Sequence, residues 1–193
     1  MGLTSDQILS IFKETGALLE GHFILTSGLH SGSYFQCAKV FQYPGHAETL
    51  CRDLAGHYRD SEIETVVSPA VGGIVTGYET ARLLGVRSIF TERVDGTMTL
   101  RRGFSVSENE RVLVVEDVTT TGGSVKEVIE VMRSHGAVVA GVGAVVDRSG
   151  GTIDFGVPYH ALLQMQVETF DPKECPMCQS GSQAVKPGSR GLK

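Results

Sequence analysis

The chain has 193 residues, 41% of them hydrophobic and 20% charged, which supports one well-buried domain and excludes a disordered polyelectrolyte. A formal net charge of -5 argues against a nucleic-acid partner, which would favour a basic face, so any anionic substrate must be held by local groups. The longest apolar stretch, Ala137 to Val146, is too short to span a bilayer, and no charged-then-apolar leader opens the chain. A soluble, cytoplasmic protein without a membrane partner is expected. Its four cysteines, Cys37, Cys51, Cys175 and Cys178, do not form a disulfide framework in a chain of this class and are expected to be reduced.

In chain order, residues 5 to 20 read as a helix and its exit, and 45 to 59 as a second helix after Pro44. Glu64 to Ser68 reads as a strand, Pro69 to Gly73 as a strand-to-helix loop, and the helix after it runs to about Leu84. A strand follows at Arg87 to Thr91, and Glu92 to Phe104 reads as a loop with few core residues and three arginines. Val112 to Val115 is a continuous apolar run, as in a parallel strand buried on both faces. Glu116 to Ser124 is then a loop, and Val125, Val128, Ile129 and Met132 mark a helix closed by Gly136. The run Ala137 to Val146 is a further buried strand, with Arg148 just beyond its end. Alternation of this kind implies an α/β fold with a mostly parallel sheet. From Asp171 the chain gains Pro, Gly, Ser and Lys and loses periodicity, so 1–170 is expected to be the domain and 171–193 an irregular extension.

The chemistry concentrates in Val112 to Ser124. At the carboxyl end of a parallel strand, before a helix N-terminus, free N–H groups attract anions. Gly122 and Gly123 let the backbone approach a phosphate, and Thr119, Thr120, Thr121 and Ser124 offer hydroxyls. Glu116 and Asp117 would repel a bare phosphate and suit sugar hydroxyls or magnesium. Acids and cradle together point to a sugar phosphate. An ordinary strand-to-helix connection with capping hydroxyls is the bland alternative. No G-x-x-x-x-G-K-[ST] motif is present.

This segment resembles the phosphoribosyl pyrophosphate (PRPP) motif of the type I phosphoribosyltransferases. Residues 23 to 36, FILTSGLHSGSYFQ, resemble the N-terminal signature of the orotate enzymes through Ser27, Gly28, Ser33, Tyr34 and Phe35. VVDRSGG at 145 to 151 resembles the segment whose arginine holds the orotate carboxylate, here Arg148. A guanidinium at a strand end binds a planar carboxylate through two parallel hydrogen bonds, although a solvated or ion-paired surface arginine is the alternative.

The resemblance implies the type I phosphoribosyltransferase fold, a mostly parallel central sheet flanked by helices with a small N-terminal hood. It implies transfer of ribose 5-phosphate from PRPP to orotate in pyrimidine biosynthesis, with Mg held mainly by substrate. PRPP would lie on Glu116, Asp117, Val118, Thr119, Thr120, Thr121, Gly122, Gly123 and Ser124, with Val71 and Gly72 on the pyrophosphate; orotate would lie on Thr120, Arg148, Tyr34 and Phe35. It also places a mobile catalytic loop at 92–104, closing over the neighbouring site of a homodimer. Here the chain departs from the pattern: it has no Lys or His from 92 to 104, Thr26 before Ser27, and Gly72 where many members carry lysine. Arg93, Arg101 and Arg102 are the available cations. A purine phosphoribosyltransferase, or a regulator that binds PRPP without turnover, would carry the same central motif.

Cys175 and Cys178 have C-x-x-C spacing, half of a tetrahedral zinc site. No second pair follows in the tail, so the expectation is a structural turn without stoichiometric metal; a distant His, Cys37, Cys51 or a second tail would be needed to complete a site.

Overall fold

The apolar runs become the inner strands of a six-stranded sheet in the computed structural model, which describes residues 2–25 and 27–187. Thr26 and the end of the extension, 188–193, lie outside the described residues. In chain order the elements are α1 (Ser5–Glu14), β1 (Leu18–Ile24), β2 (His30–Phe35), α2 (Ala38–Phe41), α3 (Pro44–Gly56), β3 (Thr65–Pro69) and α4 (Gly73–Leu84). They continue with β4 (Arg87–Val94), β5 (Thr97–Leu100), β6 (Arg111–Thr119), α5 (Gly123–Ser134), β7 (Val138–Asp147), β8 (Tyr159–Gln164), β9 (Thr169–Phe170) and α6 (Pro176–Gln179).

The main sheet runs β5-β4-β3-β6-β7-β8, parallel throughout except for β5 at one edge. Successive side chains of β6 point to opposite faces. Val112 and Val114 pack with Val125, Val128, Ile129 and Met132 of α5, whereas Leu113 and Val115 pack with Leu54 and Tyr58 beyond them on the α3 side and with Ala81 of α4. Both faces are therefore covered, which is why the run reads as continuously apolar.

Local signals set the helix ends. Thr4 and Gln7 form a reciprocal capping box before α1, and Gly85, with φ of 74°, closes α4. The helix and exit expected over 5–20 are α1, which stops at Glu14, and the turn that leads into β1.

Three expectations are corrected. Glu116, Asp117, Val118 and Thr119 are not loop residues: β6 extends through Thr119 by pairing with β7, leaving only Thr120 to Gly122 as the connection. The stretch 92–104 is largely a hairpin, β4 pairing with β5 around Asp95-Gly96, whose φ values of 51° and 84° are the positive pair that a two-residue turn needs. The extension folds back on the chain's beginning: following β9, which pairs with β2 just before it, Val185 exchanges backbone hydrogen bonds with His22 and Ile24, and Cys175 is fully buried. The small sheet β1-β2-β9 is thus a hood built from both ends of the chain.

Candidate active site

The connections β3-α4-β4 and β6-α5-β7 leave in opposite directions from the adjacent strands β3 and β6. Open α/β sheets bind ligands where the winding reverses in this way, beyond the carboxyl ends of the strands. At that position lie Glu116 and Asp117 of β6, the cradle that starts α5, and the loop from Ala70 to Gly72 that starts α4.

The two loops meet at the acids. A Cβ on Gly72 would stand 2.9 Å from Asp117 Oδ1, so this loop passes directly against the carboxylate. Glu116 is buried at 8% exposure, and its Oε1 accepts from the Asp117 N–H at 3.0 Å. Burial, with the Asp117 carboxylate beside it, pushes its proton affinity well above the usual carboxylate range. Asp117 is half-buried, and its Oδ1 accepts from the Val118 N–H at 2.9 Å.

A small cavity is lined by Glu116, Val118 and the residues from Thr119 to Val125. Gly122 begins α5 with φ of 74°, and a Cβ there would meet the Phe155 ring at 2.8 Å. The first N–H groups of α5 have no partners within the helix, the arrangement by which helix starts attract anions. Thr120, Thr121 and Gly123 are exposed, whereas Thr119 is buried with its hydroxyl 2.7 Å from that of Tyr159. Burial pushes the Tyr159 phenol up to about 12, so it remains a hydrogen-bonding hydroxyl.

Arg148 follows β7, its N–H donating to the Thr119 carbonyl at 2.9 Å, which ties the end of β7 to the cradle. Its guanidinium lies 6.0 Å from the Phe35 ring centroid, so β2 of the hood and β7 of the main sheet converge there. Its Nε is buried without a hydrogen-bond partner, and among the described residues it forms no ion pair. Burial lowers its proton affinity from the ordinary arginine value. Tyr34 is half-buried on the same strand as Phe35, and Val71 is 81% exposed at the second loop.

The hairpin arginines are exposed and held by acids of their own chain. Arg93 pairs with Glu127 of α5 at 2.7 Å, Arg102 with Glu92 at 2.9 Å and Arg101 with Glu92 at 3.6 Å. The structure therefore brings Glu116, Asp117, the cradle, Gly72, Arg148 and Phe35 to one edge, and keeps the three arginines on the neighbouring hairpin. Asp147, fully buried at the end of β7, was not singled out from the sequence; its Oδ1 accepts from the Ser149 N–H at 2.8 Å and shapes the turn that follows Arg148. The signal was present in its place between a buried strand and Arg148. A larger cavity of about 740 Å³, bordered by Leu3, Arg52, Asp53 and His57, lies by the end of α3, where β3 has yet to begin, and shares no residue with the cradle.

Away from this edge the structure supplies the second ligand pair that the sequence did not reveal for Cys175 and Cys178. His22 and His30 stand beside them, and the four ligand atoms lie within 4.8 Å of one another. Cys37 and Cys51 take no part. The reason for expecting a metal-free turn is thereby removed.

A family model described as phosphoribosyl transferase domain matches residues 44–155. An orotate phosphoribosyltransferase of Pelotomaculum thermopropionicum is 57% identical over 190 residues, covering 98% of this chain and 100% of that protein. One from Thermotoga maritima is 53% identical over 186 residues, covering 96% and 100%. Among solved structures, orotate phosphoribosyltransferase from Aeropyrum pernix aligns with a TM-score of 0.70 at 27% identity, over 82% of this chain and 93% of that one.

Proposed function

The chain belongs to the orotate phosphoribosyltransferases, and from that membership we propose that the site described above transfers ribose 5-phosphate from PRPP to orotate, giving orotidine 5′-phosphate and pyrophosphate. The observation that carries the choice of base is Arg148: a partly buried guanidinium without an internal carboxylate, beside an aromatic ring, is complementary to a planar base bearing a carboxylate.

The geometry supports the following roles. The loop from Thr120 to Ser124 holds the 5′-phosphate on the N-terminus of α5. Asp117 and Glu116 accept hydrogen bonds from the ribose hydroxyls. Val71 and Gly72 present backbone to the leaving pyrophosphate, close to Asp117. Orotate lies between Phe35, Tyr34 and Arg148, with Thr120 at its edge. Two adjacent carboxylates beside the pyrophosphate loop fit magnesium, which substrate together with Glu116 and Asp117 would hold and which would supply charge neutralisation as the pyrophosphate leaves. The nitrogen of orotate attacks the anomeric carbon as the bond to the pyrophosphate oxygen breaks. Glu116 and Asp117 favour the cationic character of the ring at that moment. Orotate's nitrogen is readily deprotonated, so fixed geometry and electrostatics supply the rate without a strong base.

A homodimer is part of this reading. Val71, Val75 and Tyr78 are exposed apolar side chains on the second loop and α4, a surface next to the site that a second copy would cover. The hairpin, with Arg93, Arg101 and Arg102 in exposed ion pairs, is then free to serve the partner's leaving group. No helix among the described residues is long and apolar enough to cross a membrane, and we assign the reaction to the cytoplasm.

Steady-state turnover with a panel of bases, following pyrophosphate release, tests the reading. Orotate is expected to be consumed, with adenine and xanthine inert. Preference for a purine, or PRPP binding without pyrophosphate release, would overturn it.

A further inference from the structure

His22 and His30 project from the same face of the β1-β2 hairpin, since His30 pairs with Ile24 and His22 lies two residues before Ile24. Cys175 precedes the single turn of α6 and Cys178 lies within it. The tail reaches the hairpin through β9 on one side and the Val185 bridge to Phe23 on the other, so the two pairs are held against each other by backbone pairing at both flanks.

The separations have a definite meaning. Cys175 Sγ lies 3.5 Å from His22 Nε2, and Cys178 Sγ lies 3.8 Å from His22 Nε2 and 3.3 Å from His30 Nδ1. A tetrahedral ion with zinc-type bonds of about 2.0–2.1 Å to nitrogen and 2.3 Å to sulfur sets its nitrogen and sulfur ligands about 3.6 Å apart. The His22 Nε2 to His30 Nδ1 distance of 2.8 Å is shorter, and a small opening of the hairpin brings it to the same scale. His22, His30 and Cys175 are buried, at 6%, 7% and 0% exposure, and Cys178 closes the group from the surface.

The tautomer of His22 is fixed as a ligand requires. Its Nδ1 lies 3.1 Å from the carbonyl oxygen of Ser182, which only accepts, so Nδ1 carries the hydrogen and Nε2 presents its lone pair to the cluster. A ligating histidine held by a backbone carbonyl through its other nitrogen is the usual outer-shell support of a zinc site.

We propose that His22, His30, Cys175 and Cys178 bind one structural zinc ion that fastens the C-terminal tail to the hood. Two nitrogens and two sulfurs suit zinc among the abundant divalent ions, and four protein ligands leave no open position, so the ion is structural. The strand it grips, β2, begins at His30 and ends at Phe35 beneath Arg148, so the ion holds one wall of the base position.

Elemental analysis of reduced protein purified without added metal tests this without substrate, and so independently of the catalytic assignment. About one zinc per chain is expected. Release by a thiol-blocking reagent should lower the unfolding midpoint, and Cys178→Ser, at the rim, should lose the metal while the chain stays folded by circular dichroism. Cobalt exchanged into the wild-type protein should give the intense visible bands of a tetrahedral site and a sulfur-to-cobalt charge-transfer band, both absent in His30→Asn. Folded, reduced wild-type protein that carries no stoichiometric zinc and gives no tetrahedral cobalt spectrum overturns the proposal, as does iron in place of zinc or a Cys175–Cys178 disulfide in the protein as isolated.

Discussion

A guanidinium N–H taken out of water without an acceptor is costly, and Arg148 has one, its Nε buried and without a partner. In the proposed reading an orotate carboxylate supplies the missing acceptor. Arg148→Ala then leaves that carboxylate unpaired in a partly dry site, a loss of about 2–4 kcal/mol, so orotate kcat/KM is expected to fall about 30- to 1000-fold while PRPP affinity changes far less. Equal losses for the two substrates in steady-state kinetics would give Arg148 a structural role instead. Glu116 is costly in the opposite sense. Burial raises its folded-state affinity for a proton above that of the unfolded chain, so between the two values the folded state keeps a proton that the unfolded state releases. Stability in the absence of ligand therefore falls as pH rises through that window and is regained on acidification. Glu116→Gln removes this dependence: the variant is expected to melt a few degrees higher at neutral pH, at about 2–4 °C per kcal/mol for a chain of this size, and to lose turnover by on the order of 100-fold. Melting curves against pH check the first outcome; an unchanged slope would place the raised affinity elsewhere.

At the scale of elements, the cradle depends on how β6 is joined to α5 by so few residues. Gly122 has left-handed φ and Phe155 against it, so Gly122→Ala meets both strain and contact, costing about 1–3 kcal/mol, and it turns the first N–H groups of α5 away from the phosphate. PRPP binding measured by calorimetry is expected to weaken at least about tenfold, and a variant that binds PRPP normally would remove the cradle from that loop. The strands and helices beside this loop were legible because Val112 to Val115 and Gly141 to Val146 are buried on both faces and α5 keeps helical spacing. Glu116 and Asp117 were recognised as chemistry but placed in a loop, since pairing of β6 with β7 overrides the end of the apolar run. The Asp95-Gly96 turn was readable as a hairpin signal, yet the polar, arginine-rich strands around it hid the period of two. The Cys175 partner was hidden for another reason: His22 stands 153 positions away, and no local pattern reports a meeting made by chain return.

For the whole molecule, the dimer reading makes each site composite. Asp117→Asn removes the acid of its own site but leaves the hairpin intact, and replacing Arg93, Arg101 and Arg102 by alanine does the converse. Mixed after subunit exchange, the two inactive preparations form heterodimers in which one site has an intact acid pair and an intact hairpin, so partial activity is expected. Exchange verified by mass spectrometry without recovery would show that the hairpin serves its own chain. The hood carries a different consequence, one of timing. A ribosome makes β1 and β2 before the central sheet and β9, Cys175 and Val185 after it, so the strands of the sheet are made while the wall that carries Phe35 still lacks its third strand and its brace. At a synthesis rate of roughly 5–20 residues per second, that wall stays without its brace for seconds after β2 is made and is complete only once Val185 has followed.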